Sequence, residues 1–307
     1  MRYSRERKHK SYQMEQIIEL ANKKKVRLIK RAEAHYRNNV KNAVAYILEN
    51  IKDKNLLLVT GPSSSGKTTT SNLIMKALDK RGISALVVSM DNFFIHRKDT
   101  PFLPDGTRDY DNVTSLNLDL FKEKMNLLLE ERKAELPEFN FITGIREDNV
   151  FCGVVPEGAI IIVEGLHAFN PLCISKVMQE KSIKVYVEPQ SEFEFNNGEK
   201  ISPIDLRFRR RAIRDFFNRG YSIEETEKNW VNVRKGEEKF VLPYKQDADF
   251  LIDSVYMYEP LLYQKELKKI AETDKNALKY INTKIPSTKL TKKDIPADAL
   301  IWEFLGK

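Results

Sequence analysis

One octapeptide constrains this chain more than any other feature. Gly61-Pro62-Ser63-Ser64-Ser65-Gly66-Lys67-Thr68 sets two glycines, a lysine and a hydroxyl at the spacing of a phosphate-cradling loop. Before it, the apolar run Leu56-Leu57-Leu58-Val59 reads as a buried strand. After it, Thr69 to Leu78 reads as a helix with Leu73, Ala77 and Leu78 on one side. A strand–loop–helix unit of this kind turns backbone N–H groups around an anion and adds the partial positive charge of a helix N-terminus. The expected nucleotide-binding residues are Gly61, Ser63, Ser64, Ser65, Gly66, Lys67, Thr68 and Thr69. Lys67 would reach the outer phosphates, and the Thr68 hydroxyl would hold Mg²⁺. A nucleoside triphosphate, ATP first, is the ligand this predicts. A Gly/Ser-rich turn with no ligand is the weaker alternative.

The 307 residues can bury a large core, which favours one main domain with helical additions. Cys152 and Cys173 offer neither a disulfide framework nor metal-ligand spacing, so reduced thiols are expected. The N-terminus is charged from Arg2 onward, and no apolar run approaches the roughly 20 residues that span a bilayer. A soluble, cytoplasmic protein with no membrane contact is expected. Residues 1–31 hold eleven Lys/Arg against three Glu and so carry the whole formal excess of +8. Such an arm could touch RNA, but no aromatic stacking platform accompanies it, and a solvated helix face is the favoured reading.

From Met14 to Ile51 apolar residues recur at helical spacing, predicting one long amphipathic helix or two. Further strands are predicted at Ala85–Met90, Ala159–Val163, Lys184–Glu188 and Asp249–Asp253, and a helix from Asp119 to Glu135. Short β-rich runs alternating with helices predict an α/β fold: a mostly parallel sheet covered by helices on both faces. The expected organisation is a helical extension over 1–54, a kinase-like body over 55–258 and a mostly helical C-terminal extension over 259–307. Ligands in such sheets sit beyond the carboxyl ends of the strands, where the loop at Gly61, Asp91 and Glu164 converge.

Phosphoryl transfer needs a phosphate cradle, a metal, a group that orients or deprotonates the acceptor, and positive charge around the moving phosphoryl. Asp91 could accept a proton from an acceptor hydroxyl, or simply cap the turn after its strand. Glu164, at the end of the most hydrophobic strand, could join Thr68 in holding Mg²⁺, or be a solvated loop carboxylate. The run Asp205 to Arg219 puts Arg207, Arg210 or Arg211, and Arg214 on one helical face. Guanidinium forks suit phosphate oxygens, so a lid over about 202–239 is expected to close on the triphosphate. Arg108-Asp109-Tyr110-Asp111 sits where a polyol could be gripped, although an Asp-rich turn reads equally well.

Taken in this order, the residues resemble the uridine kinase and phosphoribulokinase family of P-loop kinases over roughly Leu56 to Tyr258. The lid pattern of that family, Asp-x-Arg-x-x-Arg-Arg-x-x-Arg-Asp, is matched at all six fixed positions by Asp205, Arg207, Arg210, Arg211, Arg214 and Asp215. The segments Phe139 to Arg146, Glu164 to His167 and Val233 to Lys239 resemble a bacterial branch described as uridine kinase-like, as does Ile295 to Gly306. Many members of that branch carry a region related to threonyl-tRNA synthetase; the first 54 residues here resemble only the helical segment before the kinase.

The resemblance implies an ATP- and Mg²⁺-dependent kinase acting on the 5′-hydroxyl of a nucleoside such as uridine or cytidine. It implies catalytic roles for Asp91, Lys67, Arg207, Arg210, Arg211 and Arg214, and acceptor binding by Asp91, Asp109, Tyr110, Asp111, Phe139 and Arg146. Well-studied members read the pyrimidine with a Tyr and a His where this chain has Phe139 and Gly144, so catalysis is better supported than base choice. A related kinase for another small alcohol or sugar phosphate, and a nucleotide-sensing RNA-binding protein, are the alternatives. A homo-oligomer stays open.

Overall fold

The computed structural model describes residues 10–51, 54–104 and 106–305. In chain order the strands and helices are β1 (Ser11–Gln13), α1 (Met14–Lys23), α2 (Lys25–Asn50), β2 (Leu56–Thr60), α3 (Lys67–Asp79), β3 (Ala85–Ser89) and α4 (Leu118–Glu130). There follow β4 (Lys133–Asn140), β5 (Ile145–Val154), β6 (Ile160–Glu164), α5 (Lys176–Glu180), β7 (Ser182–Glu188), β8 (Glu192–Glu194) and β9 (Lys200–Ile201). The chain closes with α6 (Pro203–Arg219), α7 (Ile223–Phe240), β10 (Phe250–Asp253), α8 (Glu259–Thr273) and α9 (Trp302–Leu305).

Five strands form one sheet in the order β10-β7-β2-β6-β3, and every neighbouring pair is parallel. The inner strands β2 and β6 are short apolar runs buried on both faces: all five residues of each are buried. Side chains alternate between two cores, as a period of two requires. Leu57, Val59, Ile160 and Ile162 pack with α1, α2, α3, α6 and α8, while Leu56, Leu58, Ile161 and Val163 pack with α4 and α5. Each such side chain withdrawn from water contributes about 1.5–3 kcal/mol. The N-terminal helices and the C-terminal segment share the first core: Tyr36, Val44, Leu300 and Phe304 belong to one buried cluster with the sheet. The strands align so that Val59 and Ser89 both lie opposite Glu164, which brings three strand ends to one edge.

Two helical expectations are corrected. The helix predicted to Glu135 stops at Glu130; Arg132 takes a φ of 62°, and Lys133–Asn140 becomes a strand. Ala134 and Leu136 alternate inward and pair across a hairpin with Gly153 and Phe151, a use that periodicity alone did not separate from a helix. The C-terminal part is not mostly helical beyond Thr273. It runs in short 3-10 turns broken at Pro286 and Pro296, with Ile285, Leu290, Leu300, Ile301 and Phe304 as buried anchors. The Met14–Ile51 pattern resolves into two helices separated at Lys24.

Of the basic residues in 1–31, Lys23 pairs with Glu19 and Lys25 with Asp294. Arg2, Arg5, Arg7 and Lys8 lie outside the described residues. Among the described residues no helix is long and apolar enough to cross a membrane, and both cysteines are unpaired.

Candidate active site

The loop between β2 and α3 is shaped by close approach. A Cβ on Gly61 would stand 1.9 Å from the Val187 carbonyl oxygen, so only glycine fits there. Gly66, the N-cap of α3, has a φ of 89°, and Ser64 has 57°. Left-handed residues at these two positions let loop amides converge on a concavity suited to an anion. The Ser64 and Ser65 hydroxyls are buried with no protein partner, which fits a polar ligand. Lys67 Nζ donates to the Gly61 and Pro62 carbonyls at 3.0 and 3.1 Å. Burial holds its pKa below the ordinary lysine value, opposed by Glu164 and Asp91.

Thr68 Oγ1 donates to Glu164 Oε2 at 3.3 Å, and Ser89 Oγ donates to Glu164 Oε1 at 2.7 Å. The predicted metal pair is thus in contact. Two hydroxyls around one carboxylate form an all-oxygen donor set that suits Mg²⁺, which keeps several waters and takes few protein ligands. Thr68 and Glu164 are the residues that would hold it.

Asp91 lies in the turn after β3, open to solvent yet surrounded by protein. Those surroundings raise its pKa, and Lys67, Arg219 and Arg214 oppose the rise. Glu164 is also raised, by burial first and then by Asp91. Two carboxylates therefore face one lysine.

The four lid arginines divide into two kinds. Arg207 donates to both oxygens of Glu237 and to the Ser63 carbonyl, with 4% of its side chain exposed. Arg210 is fully buried, forked onto Glu259 at 2.7 and 2.8 Å, with further bonds to the Ser64 carbonyl and to Ser254. Arg211 and Arg214 instead keep part of their surface open and share Asp215. Arg211 Nη1 reaches Ser63 Oγ at 2.9 Å. Burial and the neighbouring Arg219 bring Arg214 down to about 10. The Asp205 of the lid pattern is a capping residue: it exchanges hydrogen bonds with Ser202 at the start of α6.

At the acceptor end, α7 crosses over Asp111, and a Cβ on Gly236 would come within 2.7 Å of the Asp111 Cβ. Burial lifts Asp111 to about 6, opposed by Arg211. Asp109 accepts from Asn112 at 3.2 Å. Phe139 is buried, and its amide donates to Asn92 Oδ1 at 3.4 Å, which ties the β4–β5 hairpin to the residue after Asp91. Phe94 packs against Tyr110, Phe139 and Phe141 in one aromatic wall. Arg146 is committed to Asp148 at 2.7 Å and to the Phe94 carbonyl, so it lies in the wall rather than free in the cleft. The space that a side chain at position 144 would need is filled by Arg97.

Within the segments Val233 to Lys239 and Ile295 to Gly306, no role was expected of Glu237 or Glu303. Glu237 accepts the Ser63 amide at 2.7 Å, and Glu303 accepts from the Thr69 hydroxyl at 2.6 Å. Both lie more than 170 residues from the loop, so no local spacing signals them; a basic run that buries two of its members does require such partners. His167 was noted only as part of a motif. It is 4% exposed; burial followed by Lys67 lowers it to about 4, and the Asp111 backbone opposes the fall.

The model of the Phosphoribulokinase / Uridine kinase family matches residues 56–259. A uridine kinase of Deinococcus deserti is 28% identical over 205 residues, covering 66% of this chain and 89% of its own. One from Halobacterium salinarum is 26% identical over 196 residues, covering 63% and 77%. A uridine kinase of Staphylococcus aureus is 28% identical over 203 residues, covering 66% and 88%.

Proposed function

The chain belongs to the phosphoribulokinase and uridine kinase family and is a phosphotransferase with an alcohol acceptor; we propose that its acceptor is the 5′-hydroxyl of a ribonucleoside, uridine or cytidine, and its donor ATP. One observation carries the reading. Asp91 lies two residues beyond Ser89, which donates to Glu164 at 2.7 Å on the phosphate side, while its neighbour Asn92 holds the hairpin at the Phe139 amide on the acceptor side. A group in that position can orient a hydroxyl and take its proton as the bond to phosphorus forms.

Loop amides and Lys67 hold the outer phosphates, and Thr68 with Glu164 would hold Mg²⁺, which supplies charge neutralisation when bound. Arg211 and Arg214 are the lid residues placed to meet charge on the transferring phosphoryl. Arg207 and Arg210 act behind the loop: by gripping the carbonyls of Ser63 and Ser64 they fix its shape. Asp111, with Asp109 beside it, would accept hydrogen bonds from paired ribose hydroxyls. The aromatic wall of Phe94, Tyr110 and Phe139 would take the flat face of the base. That three relatives are called uridine kinase supports the choice of nucleoside.

The test is product identity. The protein is incubated with ATP, Mg²⁺ and uridine or cytidine, and the products are read by chromatography and phosphorus NMR. The 5′-monophosphate is expected. No nucleoside product, with turnover of another small alcohol or a sugar phosphate, would replace the acceptor and keep the chemistry.

A further inference from the structure

Thr69 is the third residue of α3 after the N-cap Gly66, and the first bond within the helix is that of the Thr70 amide to the Gly66 carbonyl at 3.0 Å. The Thr69 N–H is therefore one of the donors that a helix start leaves for an outside partner. Its partner is an anion from the far end of the chain: Glu303 Oε2 accepts the Thr69 amide at 3.3 Å and the Thr69 hydroxyl at 2.6 Å. A carboxylate thus stands at the helix N-terminus where the loop receives phosphate.

The segment that presents Glu303 is anchored. Leu300 lies against Gly66, so that a Cβ there would come within 2.4 Å of Leu300 Cδ1. The Phe304 ring lies 4.8 Å from the Arg210 guanidinium carbon, and Trp302 Nε1 donates to the Pro296 carbonyl at 2.7 Å. Leu300, Ile301 and Phe304 are fully buried, while Glu303 keeps part of its surface in solvent. Its charge is felt across the site, at Lys67, Glu164 and Arg214.

We propose that Glu303 sets the affinity of the nucleotide site, its carboxylate competing with an inner phosphate of the donor for the Thr69 amide. The proposal rests on the loop's reading as a nucleotide site. Lys67 faces the outer phosphates, so the amide two residues on faces an inner one, which ADP also carries. An incoming phosphate must displace the Glu303 carboxylate and also overcome its repulsion. Charge-assisted hydrogen bonds are roughly twice as strong as neutral ones, so a neutral amide in place of the carboxylate yields more readily.

The experiment is calorimetric titration of the full chain with ADP, alongside thermal melts, for wild type, Glu303→Gln and Thr69→Val. Glu303→Gln keeps the shape and removes the charge; it is expected to bind ADP about tenfold tighter. Thr69→Val is near-isosteric, removes the 2.6 Å bond that holds the carboxylate in place, and is expected to tighten ADP by a smaller factor. If both variants melt lower but bind ADP no more tightly than wild type, Glu303 is a structural cap and the proposal is overturned. If no form binds ADP, the nucleotide reading falls with it. Tightening in whichever variant folds supports the proposal.

Discussion

Arg207 and Glu237 meet fork to fork behind the phosphate loop, Nη1 to Oε1 at 2.6 Å and Nη2 to Oε2 at 2.8 Å. The same carboxylate accepts the Ser63 amide at 2.7 Å and Arg234 at 2.6 Å. Burial alone would raise the Glu237 pKa, but Arg207, the Ser63 amide and Arg234 hold it below the ordinary carboxylate value. One charge therefore joins α6, α7 and the loop, and the loop's shape depends on a lid helix being in place.

Glu237→Gln leaves the buried Arg207 without a counter-charge. Breaking one side of a buried pair costs about 3–5 kcal/mol, and a loss of that order is expected in urea denaturation. Nucleotide affinity should fall as well, because Ser63 loses its hold. A cost below about 1 kcal/mol would mean that this network does not organise the loop.

The division among the arginines predicts two phenotypes from one motif. Arg210→Ala should destabilise by about 3–5 kcal/mol, and Arg210→Lys should rescue little, since a point charge cannot replace a fork. Arg211→Ala and Arg214→Ala should melt within about 1 kcal/mol of wild type yet lose about a hundredfold in kcat. Denaturation curves and turnover, measured on the same preparations, separate the two classes.

His167 predicts a pH signature. Its folded pKa of about 4 lies below the ordinary 6.5, so between those values the unfolded chain binds the proton first. Stability is then fully present above pH 6.5 and is lost as pH falls toward 4, by roughly 3 kcal/mol for a shift of this size. Asp111 has the opposite sign: its raised folded pKa favours the folded state as pH falls through about 6. Comparing wild type with His167→Gln cancels the Asp111 contribution. The variant should lose less stability between pH 6.5 and 4; parallel curves would remove His167 from this role.

Local pattern made much of this molecule legible. The apolar runs before Gly61 and at Ala159 to Val163 marked two inner strands, because a strand buried on both faces leaves a continuous hydrophobic signature, and the run before Asp91 marked the edge strand beside them. Thr68 and Glu164 were paired by the same logic, each following a strand of a parallel sheet. Three things stayed hidden. Ala134 and Leu136 continue a helical period by coincidence, and only pairing with Gly153 and Phe151 makes them a strand. Arg207, Arg210 and Arg214 share a helical face in sequence, but depth separates them, and depth is set by Glu237 and Glu259 on other helices. Residues 274–301 are ordered by scattered anchors on a distant core rather than by any period of their own.

The most direct test of the account is turnover by Asp91→Asn with ATP, Mg²⁺ and uridine, read as ADP formed, with ADP binding measured on the same protein. Replacing the carboxylate by an amide keeps its shape and removes the proton acceptor, a change worth about 10²–10⁴ in rate. The account predicts at least a hundredfold loss of turnover with ADP affinity within a fewfold of wild type. Turnover equal to wild type would contradict it and take the acceptor hydroxyl away from Asp91.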